Sequence, residues 1–101
     1  MEIEDCKKLA LKTKPILPTA LPLAIERDDA KKEFLAGYED GWESYKKRIK
    51  QELKLVKSYG SVIGLANIEV PHKVNPSIYN GIGFTYGWKS YGRFLKNSFF
   101  G

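Results

Sequence analysis

Gly37-Tyr38-Glu39-Asp40-Gly41-Trp42-Glu43-Ser44-Tyr45-Lys46-Lys47-Arg48-Ile49-Lys50 aligns without gaps, at an offset of 46 residues, on Gly83-Phe84-Thr85-Tyr86-Gly87-Trp88-Lys89-Ser90-Tyr91-Gly92-Arg93-Phe94-Leu95-Lys96. Six of the fourteen positions are identical and three more are conservative, including the only two tryptophans of the chain. Chance alone gives about one identity in such a window at ordinary residue frequencies. The two stretches therefore read as copies of one structural unit.

Each copy has the period of an amphipathic helix. In the first, Phe34, Tyr38, Trp42, Tyr45, Ile49, Leu53 and Val56 form one apolar stripe. Glu39, Glu43, Lys46, Lys47, Lys50, Lys54 and Lys57 share the opposite face, so a helix is expected over residues 29–59. Asp28 or Asp29 is its expected N-cap and Gly60 its stop. In the second, Phe84, Trp88, Tyr91, Leu95 and Phe99 form the stripe, with Lys89, Arg93 and Lys96 opposite. This predicts a second helix over 77–99, beginning near Asn75-Pro76 or Asn80. The alternative is a hairpin over Ile78–Tyr86 turning at Asn80-Gly81. The first copy has its own alternative, a turn at Glu39-Asp40-Gly41 that splits the helix in two.

Glycine inside a helix costs about 1 kcal/mol relative to alanine, so Gly37, Gly41, Gly83 and Gly87 need a reason. With Ser44 and Ser90 they form a stripe of small residues along one edge of each apolar face. Such an edge lets two helix backbones approach closely, with Trp42 and Tyr45 closing over the contact.

The remaining segments are less specified. Residues 3–13 form a short N-terminal helix through Ile3, Cys6, Leu9 and Ala10. Pro15, Pro18 and Pro22 forbid regular helix and favour an extended arm. Ser61–Val70 reads as extended chain, with prolongation of the first helix past Gly60 and Gly64 as the alternative. The expected architecture is mainly α in a single domain over 1–101: N-terminal helix and proline-rich arm (1–28), first helix (29–59), linker (60–76) and second helix (77–101).

The 101-residue length suits one modest core. At 43% apolar and 29% charged residues, the chain is expected to fold. Its net charge of +5 is uneven, because no acid follows Glu69 while Lys73, Lys89, Arg93 and Lys96 do. The lone Cys6 gives no disulfide and suggests a reducing, cytoplasmic setting. Val74–Trp88, the longest uncharged stretch at 15 residues, is too short and too polar to span a bilayer.

Little in the chain looks like catalysis. His72 and Cys6 are single and distant, no zinc spacing occurs, and Gly81-x-Gly83 precedes no phosphate-loop Lys-Ser/Thr. No enzyme activity, cofactor or metal is expected. The leading expectation is an interaction protein that binds a protein partner or its own copies. Trp88, Tyr91 and Arg93 are its expected hot spot, flanked by Lys89 and Lys96. Two other classes compete. Nucleic acid could bind the basic, aromatic C-terminal segment, and a membrane surface could take up the amphipathic helix from Gly83 onward.

Overall fold

The computed structural model describes residues 3–18, 21, 25, 27–55, 68–71 and 78–100, and no strand occurs among them. Three helices carry the fold: α1 (Ile3–Lys12), α2 (Asp28–Leu55) and α3 (Ile78–Phe100). The duplicated stretches are thus both helical throughout. Neither the turn at Glu39-Asp40-Gly41 nor the hairpin at Asn80-Gly81 forms, and no glycine among the described residues has positive φ. The hairpin signal loses because Asn80-Gly81 sits in the first turn of α3, whose apolar stripe has a partner helix to pack on.

The cap of α2 lies one residue earlier than expected. Lys31 N–H donates to Arg27 C=O at 2.9 Å, so Arg27 supplies the first helical acceptor. Asp28 and Asp29 fall in the first turn, where carboxylates suit the exposed N–H groups. Asp29 also accepts from the Arg27 guanidinium at 2.8 Å and from Ala30 N–H at 3.0 Å. The expected stop at Gly60, the helix start near Asn75-Pro76 and most of Ser61–Val70 lie outside the described residues. So do Pro22 and much of the proline-rich arm. Thr13–Pro18 and Ile68–Pro71 carry no regular secondary structure.

Helices α2 and α3 meet backbone to backbone at the glycines. A Cβ built on Gly37 would lie 2.0 Å from Asn80 O, and one on Gly41 would lie 2.1 Å from Phe84 O. One on Gly83 would lie 2.0 Å from Phe34 O, and one on Gly87 would lie 1.9 Å from Tyr38 O. With a C–C bond of about 1.5 Å, each glycine Cα is no more than about 3.5 Å from the facing carbonyl, the range of a Cα–H···O contact. Residue numbers rise together along the two helices, so they run parallel. Allowing for the 46-residue offset, every contact has a twin: Gly41 on Phe84 matches Gly87 on Tyr38, and Gly37 on Asn80 matches Gly83 on Phe34. The repeat is therefore a local two-fold arrangement, its axis running along the seam.

The aromatics follow the same symmetry. Trp42 meets Tyr91 edge-on at 5.0 Å between ring centroids, and its twin pair, Tyr45 and Trp88, lies at 4.7 Å. Tyr45 and Tyr91 meet each other at 5.2 Å, which is a residue meeting its own counterpart. Such pairs contribute about 0.5–1.5 kcal/mol each beyond burial. Phe34, Tyr38, Ile49, Phe84 and Leu95 complete this buried strip, which Ala10, Ile25 and Ala30 extend. Helix α1 packs on α2 through Leu9 and Ala10. Its end is fixed where Lys46 Nζ donates to Thr13 C=O at 2.6 Å.

Candidate interaction surface

Parallel neighbours need a long crossover. Residues 68–71, the described part of that crossover, are pinned across the seam by one residue of each helix. Ile68 N–H donates to Tyr45 Oη at 3.2 Å, and Trp88 Nε1–H donates to Ile68 C=O at 2.9 Å. The Tyr45–Trp88 pair thus holds both polar backbone groups of Ile68. On the opposite side of the local axis, the twin indole nitrogen, Trp42 Nε1, is buried without a hydrogen-bond partner among the described residues.

Two grooves flank α3 along residues 68–71, and Val70 lines both. The first is walled by Val70, Pro71, Ile78, Gly81, Ile82, Phe84 and Thr85 around about 480 Å³, with polar and apolar surface in about equal share. The second, of about 510 Å³, is cationic. Trp88, Tyr45 and the buried Gly92 lie at its base, and Lys89, Arg93 and Lys96 stand on one side with Ile68, Glu69 and Val70 on the other.

The α3 wall of both grooves belongs to the helix face turned away from α2, at whose margin Tyr86 leans back on Phe34 of α2 with ring centroids 5.7 Å apart. At 3.6 residues per turn, Ile78, Ile82, Tyr86, Lys89, Arg93 and Lys96 fall within about 80° of one another. Their order along the axis is segregated: the first three are apolar or aromatic and the last three are cationic. Ile78 is 76% exposed, Tyr86 49% and Ile82 36%, so the first half is an open apolar patch. Lys89, Arg93 and Lys96 are exposed too. Among the described residues the ion pairs are Arg27–Asp29, Lys46–Glu43 and Arg48–Glu52. None of them engages these three cations.

The local symmetry supplies an internal control. At the matching positions of α2 stand Lys32, Ala36, Asp40, Glu43, Lys47 and Lys50, a solvated face of mixed charge. The same helix geometry is thus compatible with a polar exterior, and the fold does not require exposed isoleucines on α3.

The expected site residues divide between interior and surface. Trp88 and Tyr91 are core, at 3% and 0% exposed, so neither ring is displayed to a partner; their stripe is spent on α2. Lys89, Arg93 and Lys96 come together in the cationic groove. Gly37, Gly41, Gly83 and Gly87 lie at the closest backbone approach, with Trp42 and Tyr45 beside them. Ser44 and Ser90 sit half-buried at its edge, Ser44 donating to Asp40 at 3.3 Å. Among the described residues the exposed aromatics are instead Tyr79 and Tyr86. They fall off the main stripe, and their spacing with Ile78 and Ile82 on the cation-bearing face was the available signal.

Among the described residues no cluster of metal-ligating side chains occurs, and no helix is long and apolar enough to cross a membrane. Comparison with protein-family models, curated proteins and solved structures returns no match for this chain.

Proposed function

We propose that this chain is a non-catalytic interaction protein that docks a protein partner on the outward face of α3, acting as an accessory subunit or inhibitor of that partner. The observation that carries this reading is the exposed pair Ile78 and Ile82, continued by the half-exposed ring of Tyr86 that leans on Phe34, set against the polar face at the matching positions of α2. Apolar side chains held in water where the fold does not need them mark a surface that is covered in use. A reducing, cytoplasmic setting is inferred from the single cysteine.

Self-association through this face is the weaker form of the reading. Two copies meeting parallel would set Lys89, Arg93 and Lys96 against themselves, and antiparallel copies would set them against isoleucines. Neither arrangement is complementary. Nucleic-acid binding would use the three cations but leave Ile78 and Ile82 without a role. A flat lipid interface fits poorly as well, since Lys89 and Arg93 lie on the same line of the helix as Ile82 and would be immersed with it.

Site-specific photocrosslinking in an extract of the source cells tests the proposal. With a photoreactive phenylalanine analogue at position 82, one protein adduct is expected, competed by excess native chain and not by the Ile82→Asp variant. The same probe at the matching position, Ala36, should give none. Equal labelling at both positions, or no adduct at 82, would refute the proposal. An adduct of twice the chain mass would establish self-association instead.

A further inference from the structure

We infer that the occupant of this face is a peptide segment of a partner protein with one apolar half and one acidic half, seated lengthwise along α3. The inference rests on the docking reading above and adds the chemistry and layout of the partner. Ile78 to Lys96 is 19 residues of helix, about 27 Å from first to last. That length takes a partner helix of about five turns or about eight residues of extended chain.

The layout follows from the two grooves. They abut at Val70, one beside the apolar side chains of Ile78 and Ile82, the other beside Lys89, Arg93 and Lys96 with Glu69 as its one carboxylate, so that its lining is net positive. A Cβ on Gly81 would meet nothing within 4 Å, so the groove is open at that point. The exposed side chains of Ile78 and Ile82 gain from apolar contact. Three cations joined to no carboxylate among the described residues favour carboxylates, which compensate them on desolvation. Because the two characters are separated along the axis, a matching segment must separate them too. Uniform mixing would bury acids on isoleucine and apolar groups on lysine, and both mismatches weaken binding.

Fluorescence anisotropy with two labelled synthetic peptides of about 18 residues tests this on the whole chain. One carries a leucine-rich half and a glutamate-rich half; the other has the same composition interleaved. The segregated peptide is expected to bind at least about tenfold more tightly and to weaken between about 0.05 and 0.5 M salt. Lys89→Glu with Arg93→Glu should lower its affinity at least about tenfold and create affinity for a peptide whose charged half is lysine. That gain also shows the variant to be folded. Equal binding of the two peptides, or indifference to the charge reversal, overturns the inference. So does tighter, competitive binding of phosphatidylserine vesicles or of a single-stranded oligonucleotide. If excess Ile82→Asp chain fails to compete for the crosslinked adduct while the charge-reversed chain competes as well as the native one, docking stands and the acidic half falls. If both variants compete like the native chain, both fall.

Discussion

Trp42 and Trp88 occupy twin places against Tyr91 and Tyr45, and they differ at one atom. Trp88 Nε1 donates to Ile68 C=O, whereas Trp42 Nε1 is buried without an acceptor among the described residues. Trp→Phe removes a similar volume at either place, so comparing the two variants isolates the hydrogen bond. Trp88→Phe should destabilise the chain by about 1 kcal/mol more than Trp42→Phe, read as the difference in urea-unfolding free energy followed by far-ultraviolet circular dichroism. Equal losses would mean that the Ile68 clamp contributes nothing. At this scale the sequence was only half legible. The pairing of the tryptophans could be read from the repeat, but the exposure of Trp88 and Tyr91 could not. A helical stripe says that a face is apolar without saying what covers it.

Between elements, the seam of α2 and α3 is decided by glycine. Ala at position 41 or 87 gains helix propensity of about 1 kcal/mol. It also places a methyl 2.1 Å from Phe84 O or 1.9 Å from Tyr38 O, which forces the helices apart. Overpacking against backbone dominates, so Gly41→Ala and Gly87→Ala should each destabilise by about 3 kcal/mol. Gly81→Ala meets open space and helical φ, and should stabilise by about 0.5–1 kcal/mol. Thermal unfolding of the three variants checks both signs; destabilisation by all three would mean that glycine acts through something other than contact. The seam was legible because helix-disfavoring residues recurring at helical spacing have few explanations. Helix ends were less so: Arg27 rather than an aspartate caps α2, since any residue's backbone carbonyl can serve as the first acceptor. The apolar half of the candidate surface was missed for a related reason. Ile78 and Ile82 lie outside the aligned repeat, and Tyr86 matches Asp40, so comparing the copies drew the eye to the interior they share.

In the molecule as a whole, one aromatic strip joins both long helices, and neither helix retains its core without the other. Unfolding should therefore be cooperative. Single-tryptophan proteins made by Trp42→Phe and by Trp88→Phe should each give a fluorescence transition that coincides with its own loss of helicity. A transition at either indole that precedes the helical one would show the two halves to be separable. The duplication also sorts tolerance to change. A seam residue meets the twin of its neighbour, so substitutions there act on both copies, while the outward faces have diverged independently.

Because α2 and α3 point the same way, their peptide macrodipoles add instead of cancelling, with about half a positive charge at each starting end and half a negative charge at each finish. Side-chain charge offsets this gradient in part, for Lys31 and Lys32 follow the aspartates of α2 and the last turn of α3 carries no base. Asp28 and Asp29 stand in the opening turn of α2, and Lys46, Lys47, Arg48, Lys50, Arg93 and Lys96 gather in the later halves of the two rods. The opening turn of α3 has no acid, so its positive pole is left uncompensated by side chains of its own. The side-by-side repulsion of the two aligned dipoles is thus partly offset by where lysine and aspartate fall, and reversing those charges would add to it.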